Sequence, residues 1–170
     1  MPDEIRQKIV IFGAFGAGKT TFIKTIDQRS THIEANCPGG TTTVALDFGR
    51  VERDGHQLHV YGTPGQERFE FAREIIAKGM DGAVLLVDAS TPVDDFTRHL
   101  HSSLTAAKLP FVVFLNKCGA VGQVPAEMTA EFGTNPVWIV SALDRNQCLD
   151  ALYRFAGTLP VRMKGSYGNR

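Results

Sequence analysis

The segment Lys8 to Ile26, KIVIFGAFGAGKTTFIKTI, limits the architectures open to this chain more than any other stretch. Its first part, Lys8 to Phe12, is short, apolar and β-branched, and reads as a buried strand. Its last part continues to Arg29 and spaces Phe22, Ile23 and Ile26 as a helix does, so a helix is predicted over Lys19 to Arg29. Between them, Gly13 and Gly18-Lys19-Thr20 stand at the spacing of a loop whose backbone N–H groups wrap an anion at a helix N-terminus. There the unpaired amides and the helix dipole both favour negative charge. In such a loop Lys19 places a point charge against phosphate oxygens, and the Thr20 hydroxyl is placed to ligate a divalent cation. A glycine-rich strand-to-helix turn with no ligand is the plainer alternative.

The rest of the chain repeats the strand–helix alternation. Thr43 to Val51 and Gln57 to Gly62 read as strands joined through the turn signal Asp54-Gly55, which makes the first of them antiparallel to its neighbour. The stretch Ser30 to Gly40 reads as a polar, Gly-Pro-rich connection. RFEFAREIIAKG (Arg68 to Gly79) reads as helix, GAVLLVD (Gly82 to Asp88) as strand, and Pro92 to Ala107 as helix. Phe111 to Asn116 follows as strand, Ala126 to Phe132 as a short helix, Pro136 to Ala142 as strand and Gln147 to Leu159 as the last helix. Alternation of this kind predicts a three-layer α/β fold of the P-loop type, with a six-stranded mixed, mainly parallel sheet and helices on both faces.

Length and charge bound the function. A chain of 170 residues is expected to form one domain over 1–170, with 160–170 a fraying tail, and to bury roughly two-thirds of its unfolded surface. Eighteen basic residues balance eighteen acidic ones, for a formal net charge of zero. No long-range attraction to nucleic acid follows from that. Three scattered cysteines, Cys37, Cys118 and Cys148, suit a reduced, cytoplasmic setting better than a disulfide framework. The first residues lack an apolar signal, position 2 is Pro, and the last residues carry no prenylatable Cys, so no membrane anchor is expected.

In a sheet of this type ligands sit at the carboxyl ends of the strands. Informative residues cluster there: GTPGQERF from Gly62, NKCG from Asn116, and SAL from Ser141, with Thr41, Thr42 and Thr43 ahead of the second predicted strand. Each motif alone is weakly specific. In shared order and spacing they resemble the small Ras-like GTPases over nearly the whole chain. TTTVALDFG and YGTPGQERF are most similar to prokaryotic GTPases related to the gliding-motility switch protein and to the actinobacterial conservon GTPases.

The resemblance implies GTP or GDP with Mg²⁺ as ligands, and slow hydrolysis of GTP. Gly13, Phe15, Gly16, Ala17, Gly18, Lys19, Thr20 and Thr21 would cradle the phosphates, and Gly65 would offer its amide to the γ-phosphate. Thr43 would close over the γ-phosphate and the metal, and Gln66 would orient the attacking water, with Lys19 assisting both binding and catalysis. Asn116, Lys117, Ser141, Ala142 and Leu143 would hold the base. Signalling would run through the two switch segments to protein effectors and regulators, a roadblock-type protein first among them. Phe48, Phe69 and Phe71 are candidates for that effector surface, with core packing equally open for Phe71.

Three positions depart from the Ras pattern. Gly62 stands where most relatives carry the aspartate that holds Mg²⁺ through water, and Asp47 is expected to compensate, giving Thr20, Thr43 and Asp47 as the metal-side set. By strand alternation Thr43, Ala45 and Asp47 share a face. Gly119 replaces the aspartate that accepts two hydrogen bonds from guanine, which leaves base selectivity, or ATP binding, open. Asp144 is either a substitute acceptor or the N-cap of the last helix. Phe15 occupies a loop position that is small in Ras, where it either crowds Gln66 or folds outward. A docking-only pseudo-GTPase is the rival reading. The five histidines show no metal spacing with the cysteines, and Cys118 reads as a loop residue.

Overall fold

The computed structural model describes residues 4–36, 43–64, 77–119 and 126–161, with the backbone alone considered at 33–36 and 43–45. Among them, strands and helices follow in the order β1 (Ile5–Phe12), α1 (Lys19–Ile26), β2 (Thr31–Asn36), β3 (Thr43–Arg53), β4 (His56–Gly62) and β5 (Gly82–Asp88). Then come α2 (Asp95–Ala107), β6 (Phe111–Asn116), α3 (Ala126–Ala130), β7 (Val137–Ile139) and α4 (Arg145–Ala156). The strands form one seven-stranded sheet in the order β2-β3-β4-β1-β5-β6-β7. β1 is parallel to both β4 and β5, β5 to β6, and β6 to β7, whereas β3 runs antiparallel to β2 and to β4.

The expected six strands are therefore seven. Thr31–Asn36, which reads in the sequence as a polar connection, pairs antiparallel with β3 over six rungs, from Thr31 opposite Phe48 to Asn36 opposite Thr43. An edge strand needs backbone partners on one side only, and charged and polar residues there discourage pairing with other chains. THIEAN therefore lacks the apolar content by which an interior strand is found. The predicted helix over Arg68 to Gly79 lies almost wholly outside the described residues.

Local chemistry explains the boundaries. Asp54 (φ 52°) and Gly55 (φ 76°) both take the left-handed conformation that a two-residue hairpin turn requires. α1 stops at Ile26 rather than Arg29 because Asp27 turns extended. Its carboxylate then accepts the Arg29 amide at 2.9 Å and the Arg50 amide at 2.9 Å. α2 begins under an Asp94 cap that accepts the Thr97 amide at 2.7 Å. α4 begins under Asp144, which accepts the Gln147 amide at 3.0 Å.

The central strands are apolar on both faces, as a sheet covered on both sides demands, and two cores result. On one face Phe22, Ile23 and Ile26 of α1 and Cys148, Leu152 and Phe155 of α4 pack over Ile9, Ile11, Leu58, Val60 and Phe114. On the other, Phe96, Leu100 and Leu104 of α2 and Phe132 cover Val10, Phe12, Leu85, Val113 and Leu115. α1 lies over β3 and β4, and Ile23 touches the position of a Cβ at both Gly49 (3.0 Å) and Gly62 (2.9 Å). That contact fixes the height of the first turn of α1 above the sheet.

Candidate nucleotide site

The loop from Gly13 to Gly18 joins β1 to α1 at the carboxyl edge of the sheet. Gly18 is the residue before the helix, with φ 106°, and it carries no side chain to cap the first turn. The first-turn amides of α1 are thus left to an external anion. A Cβ at Gly18 would stand 2.6 Å from the Asn116 side-chain nitrogen, and one at Gly13 would stand 2.6 Å from the Leu86 carbonyl oxygen. The loop therefore needs glycine for close approach as well as for backbone conformation. Lys19 is buried, and its Nζ donates to the carbonyl oxygens of Gly13 at 2.7 Å and Ala14 at 2.9 Å. The ammonium is thereby held directly over the loop.

Asn116, at the end of β6, joins the parts of the site. Its Nδ2 donates to the Ala17 carbonyl at 3.0 Å, and its Oδ1 accepts the Ala142 amide at 3.0 Å, with the residue 5% exposed. One buried amide thus fixes the distance between the phosphate loop and the Ser141–Leu143 turn. Lys117 follows in a left-handed conformation (φ 62°) and donates to the Gly16 carbonyl at 2.8 Å and to Asp88 Oδ2 at 3.3 Å. Burial pushes the Asp88 carboxyl up, but bonds from the Ser90 hydroxyl and amide and from Lys117 outweigh it and hold it below the ordinary range. Ser141 donates its amide to Gln147 Oε1 at 3.0 Å, while Leu143 is 83% exposed beside it.

On the other side of the loop, Thr20 Oγ1 donates to Asp47 Oδ2 at 2.7 Å, and His32 Nδ1 lies 3.0 Å from Asp47 Oδ1. A hydroxyl whose proton is committed to a carboxylate presents its lone pairs outward. With the Asp47 carboxylate beside it this makes a pair of oxygen donors, the chemistry preferred by small hard cations such as Mg²⁺. Asp47 thus lies beside Thr20. It also sits directly opposite Gly62 on the β3–β4 ladder, and a Cβ at Gly62 would be 3.8 Å from Asp47 Oδ2. A carboxylate therefore stands on the strand beside β4, at the rung where β4 carries glycine. Among the described residues no group of three or more His, Cys, Asp or Glu side chains could hold a metal.

Other predicted positions fall elsewhere. Thr43 opens β3, with only its backbone described, and Thr41, Thr42, Gly65, Gln66, Phe69, Phe71 and Cys37 lie outside the described residues. Thr21 is exposed on α1. Phe15 is 81% exposed and lines a shallow cleft with Thr91, Pro92 and Val93, while Gln66, its alternative neighbour, lies outside the described residues. Asp144 is the helix cap: Oδ1 takes the Gln147 amide and Oδ2 the Gln147 side-chain amide at 3.2 Å. Cys118 donates to the Leu115 carbonyl at 3.4 Å, and burial pushes its thiol up, as befits a loop residue of low reactivity. Sequence reasoning missed His32 and Asp88. Asp88 could have been found, because it ends an apolar strand at the carboxyl edge; His32 could not, because its strand was not recognised.

This arrangement has counterparts in known proteins. The family model described as 50S ribosome-binding GTPase matches residues 8–117. An uncharacterized protein of Methanocaldococcus jannaschii is 34% identical over 138 residues, which is 81% of this chain and 84% of that protein. Translation initiation factor IF-2 of Mesoplasma florum is 29% identical over 133 residues, covering 76% of this chain and 21% of the factor. The chain thus spans about a fifth of that second relative's length. Among solved structures, the G domain of the T. maritima FeoB iron transporter has a TM-score of 0.69 at 16% identity, covering 89% of this chain and 98% of that one. The cytosolic domain of the same transporter in its GMPPNP form has a TM-score of 0.68 at 17% identity, covering 96% of this chain and 69% of that one. The likeness to these structures is one of fold. The sequence match takes in the glycine loop, the β3–β4 hairpin and the Asn116–Lys117 pair, and the chain belongs to the 50S ribosome-binding GTPase family of P-loop GTP-binding proteins.

Proposed function

We propose that this chain is a molecular switch: a single G domain over residues 1–170 that binds GTP and GDP with Mg²⁺ and hydrolyses GTP slowly. The observation that carries the reading is the pair of hydrogen bonds made by Asn116, which link the phosphate loop at Ala17 to the base turn at Ala142. A pocket built so that its phosphate end and base end share one buried side chain is matched to a whole nucleotide rather than to free phosphate. Gly13, Phe15, Gly16, Ala17, Gly18, Lys19, Thr20 and Thr21 serve the phosphates, Gly65 the γ-phosphate, and Asn116, Lys117, Ser141, Ala142 and Leu143 the base. Mg²⁺ is held on the side of Thr20, Thr43 and Asp47 and neutralises phosphate charge. Gln66 orients water, with Thr43 and Lys19 in support. Unassisted turnover in such sites is on the order of 10⁻⁴ to 10⁻² per second, which suits a timer rather than a metabolic enzyme.

The partner class we favour is protein, acting at the switch segments, with a roadblock-type regulator as the first to try. The family description and the IF-2 relatives bring the ribosome into view, but a formal net charge of zero gives this chain little attraction for RNA. No described helix is long and apolar enough to cross a membrane, and we place the protein in the cytoplasm. The gliding-motility and conservon GTPases remain the group we take as nearest in mode of action. The test is chemical: denature the purified protein and identify the released nucleotide by chromatography and mass, then titrate GTP against Lys19→Ala by calorimetry. Guanine nucleotide in the wild type and loss of binding in the variant are expected. A variant within threefold of wild type refutes the site. The docking-only reading is supported by the exposed Phe15 and is separated by single-turnover hydrolysis, which it requires to be absent.

A further inference from the structure

We propose that His32 is a positioning residue for the Asp47 carboxylate, which makes the edge strand β2 part of the magnesium side of the nucleotide site. The inference rests on the reading of Asp47 as the carboxylate that serves Mg²⁺.

Three residues of three strands stand on one rung of the sheet: His32 of β2 opposite Asp47 of β3, and Asp47 opposite Gly62 of β4. Directly paired residues project from the same face. The row therefore runs from the open edge inward beneath the first turn of α1. Its inner member contributes no side chain, and the space beside it is taken by the Ile23 methyl, 2.9 Å from where a Gly62 Cβ would stand. Among the described residues, the atoms nearest that position belong to Ile23 and to Asp47 itself. The carboxylate is fixed instead by its two oxygens, Oδ2 accepting from Thr20 at 2.7 Å and Oδ1 facing His32 Nδ1 at 3.0 Å. Because a carboxylate oxygen only accepts, Nδ1 carries the proton.

The consequence is orientational. An aspartate reaching sideways from β3 has to present one particular oxygen to the first turn of α1. With Thr20 as its sole tether it pivots about that bond; with His32 holding the outer oxygen, the plane of the carboxylate is set. Outer partners of metal-side ligands act in this way, by fixing the ligand rather than touching the ion. The burial pattern agrees, since the Asp47 side chain is 12% exposed and that of His32 50%. The histidine is a wall between the carboxylate and solvent. A mere surface pair is worth about 0 to 1 kcal/mol of stability and is indifferent to Mg²⁺, which is the contrast a test can use.

The experiment uses the full chain and a fluorescent GTP analogue, with affinity measured across a Mg²⁺ series and again in EDTA, beside a thermal melt. His32→Ala should raise the Mg²⁺ concentration for half-maximal tight binding by about 3 to 10-fold, somewhat below the 10 to 100-fold typical of a direct outer partner. Affinity in EDTA should hold within about twofold. His32→Asn, whose amide can still donate to Oδ1, should recover most of the loss. Asp47→Asn should shift the titration more strongly, and adding His32→Ala to it should change little, since coupled residues do not add. An Asp47→Asn variant with an unmoved titration overturns the magnesium reading itself. If Asp47→Asn shifts the titration while His32→Ala does not, or if the two effects add in full, the role of His32 alone is overturned. A lowered melting temperature with an unmoved titration counts against it in the same way.

Discussion

Asn116→Ala should destabilise the nucleotide-free protein, although the sequence presents Asn116 only as a base-binding residue. The side chain satisfies two backbone groups in a buried setting, the Ala17 carbonyl at 3.0 Å and the Ala142 amide at 3.0 Å. Truncation leaves both without their partner, and each such group costs about 1 to 3 kcal/mol where water cannot replace the bond. A total of about 2 to 6 kcal/mol follows, a large share of the ~5 to 15 kcal/mol that holds a domain together. For a chain of this size that corresponds to a melting temperature lower by roughly 4 to 24 °C. Asn116→Asp sharpens the test, because it keeps an acceptor for Ala142 but turns a second acceptor toward the Ala17 carbonyl, so it should melt no higher than the alanine variant. The measurement is a circular-dichroism melt of protein stripped of nucleotide in EDTA. If Asn116→Ala melts within about 1 °C of wild type, the bridge is decorative, and the argument that one side chain sets the length of the pocket fails with it.

Other outcomes follow from the same geometry. With Gly119 lacking a carboxylate and Asp144 committed to Gln147, GTP and ATP should compete within roughly 10 to 100-fold, against the 10⁴-fold or more that a paired polar contact can give; a preference above a thousandfold in competition binding would falsify this. Asp47→Ala should weaken the Mg²⁺ dependence of triphosphate binding by about 10 to 100-fold, and Gly62→Asp in that background should recover part of it. Among the described residues, the one side-chain obstacle within 3 Å of the new Cβ is the flexible end of Ile23; no recovery would mean the two positions do not act on one ion. Cys148, whose thiol is pushed up to about 12 by burial and by Asp144, should resist maleimide at pH 8 until the protein unfolds. Because its folded value lies above its unfolded one, its contribution to stability is full below about pH 9 and is lost as pH rises from there through about 12. Cys148→Ala should flatten part of that alkaline decline in a melt series.

Most of the sheet was legible because its strands are buried on both faces. GAVLLVD and FVVFLN contain almost nothing but apolar residues, and the strands found there, Gly82–Asp88 and Phe111–Asn116, are those the pattern marks. The start of α4 was legible for a related reason, since Asp144 carries the acceptor that a first turn needs; α2, expected from Pro92, begins three residues later under Asp94. What escaped was set by long-range contacts. The end of α1 depends on Asp27 reaching the Arg50 amide on another strand. β2 exists because β3 extends beside it, and its own residues show no apolar period.

The same division runs through the site. Residues of the glycine loop, Gly13, Gly18 and Lys19, are written into one contiguous stretch, and local spacing finds them. Residues that meet across strands are only partly legible. Asp47 reads as compensation for Gly62 by resemblance and strand alternation, but only the register, Asp47 against Gly62 and His32 against Asp47, puts the three in one row. A function removed from a strand can be carried by the strand beside it at the same rung, because paired positions project from the same face within about 5 Å of each other. On the proposed reading the Asp47 carboxylate takes its support from the far side, since the position opposite it on β4 is glycine. On this sheet the far side is the edge strand, and its histidine lies there, 3.0 Å from the oxygen that Thr20 leaves unclaimed.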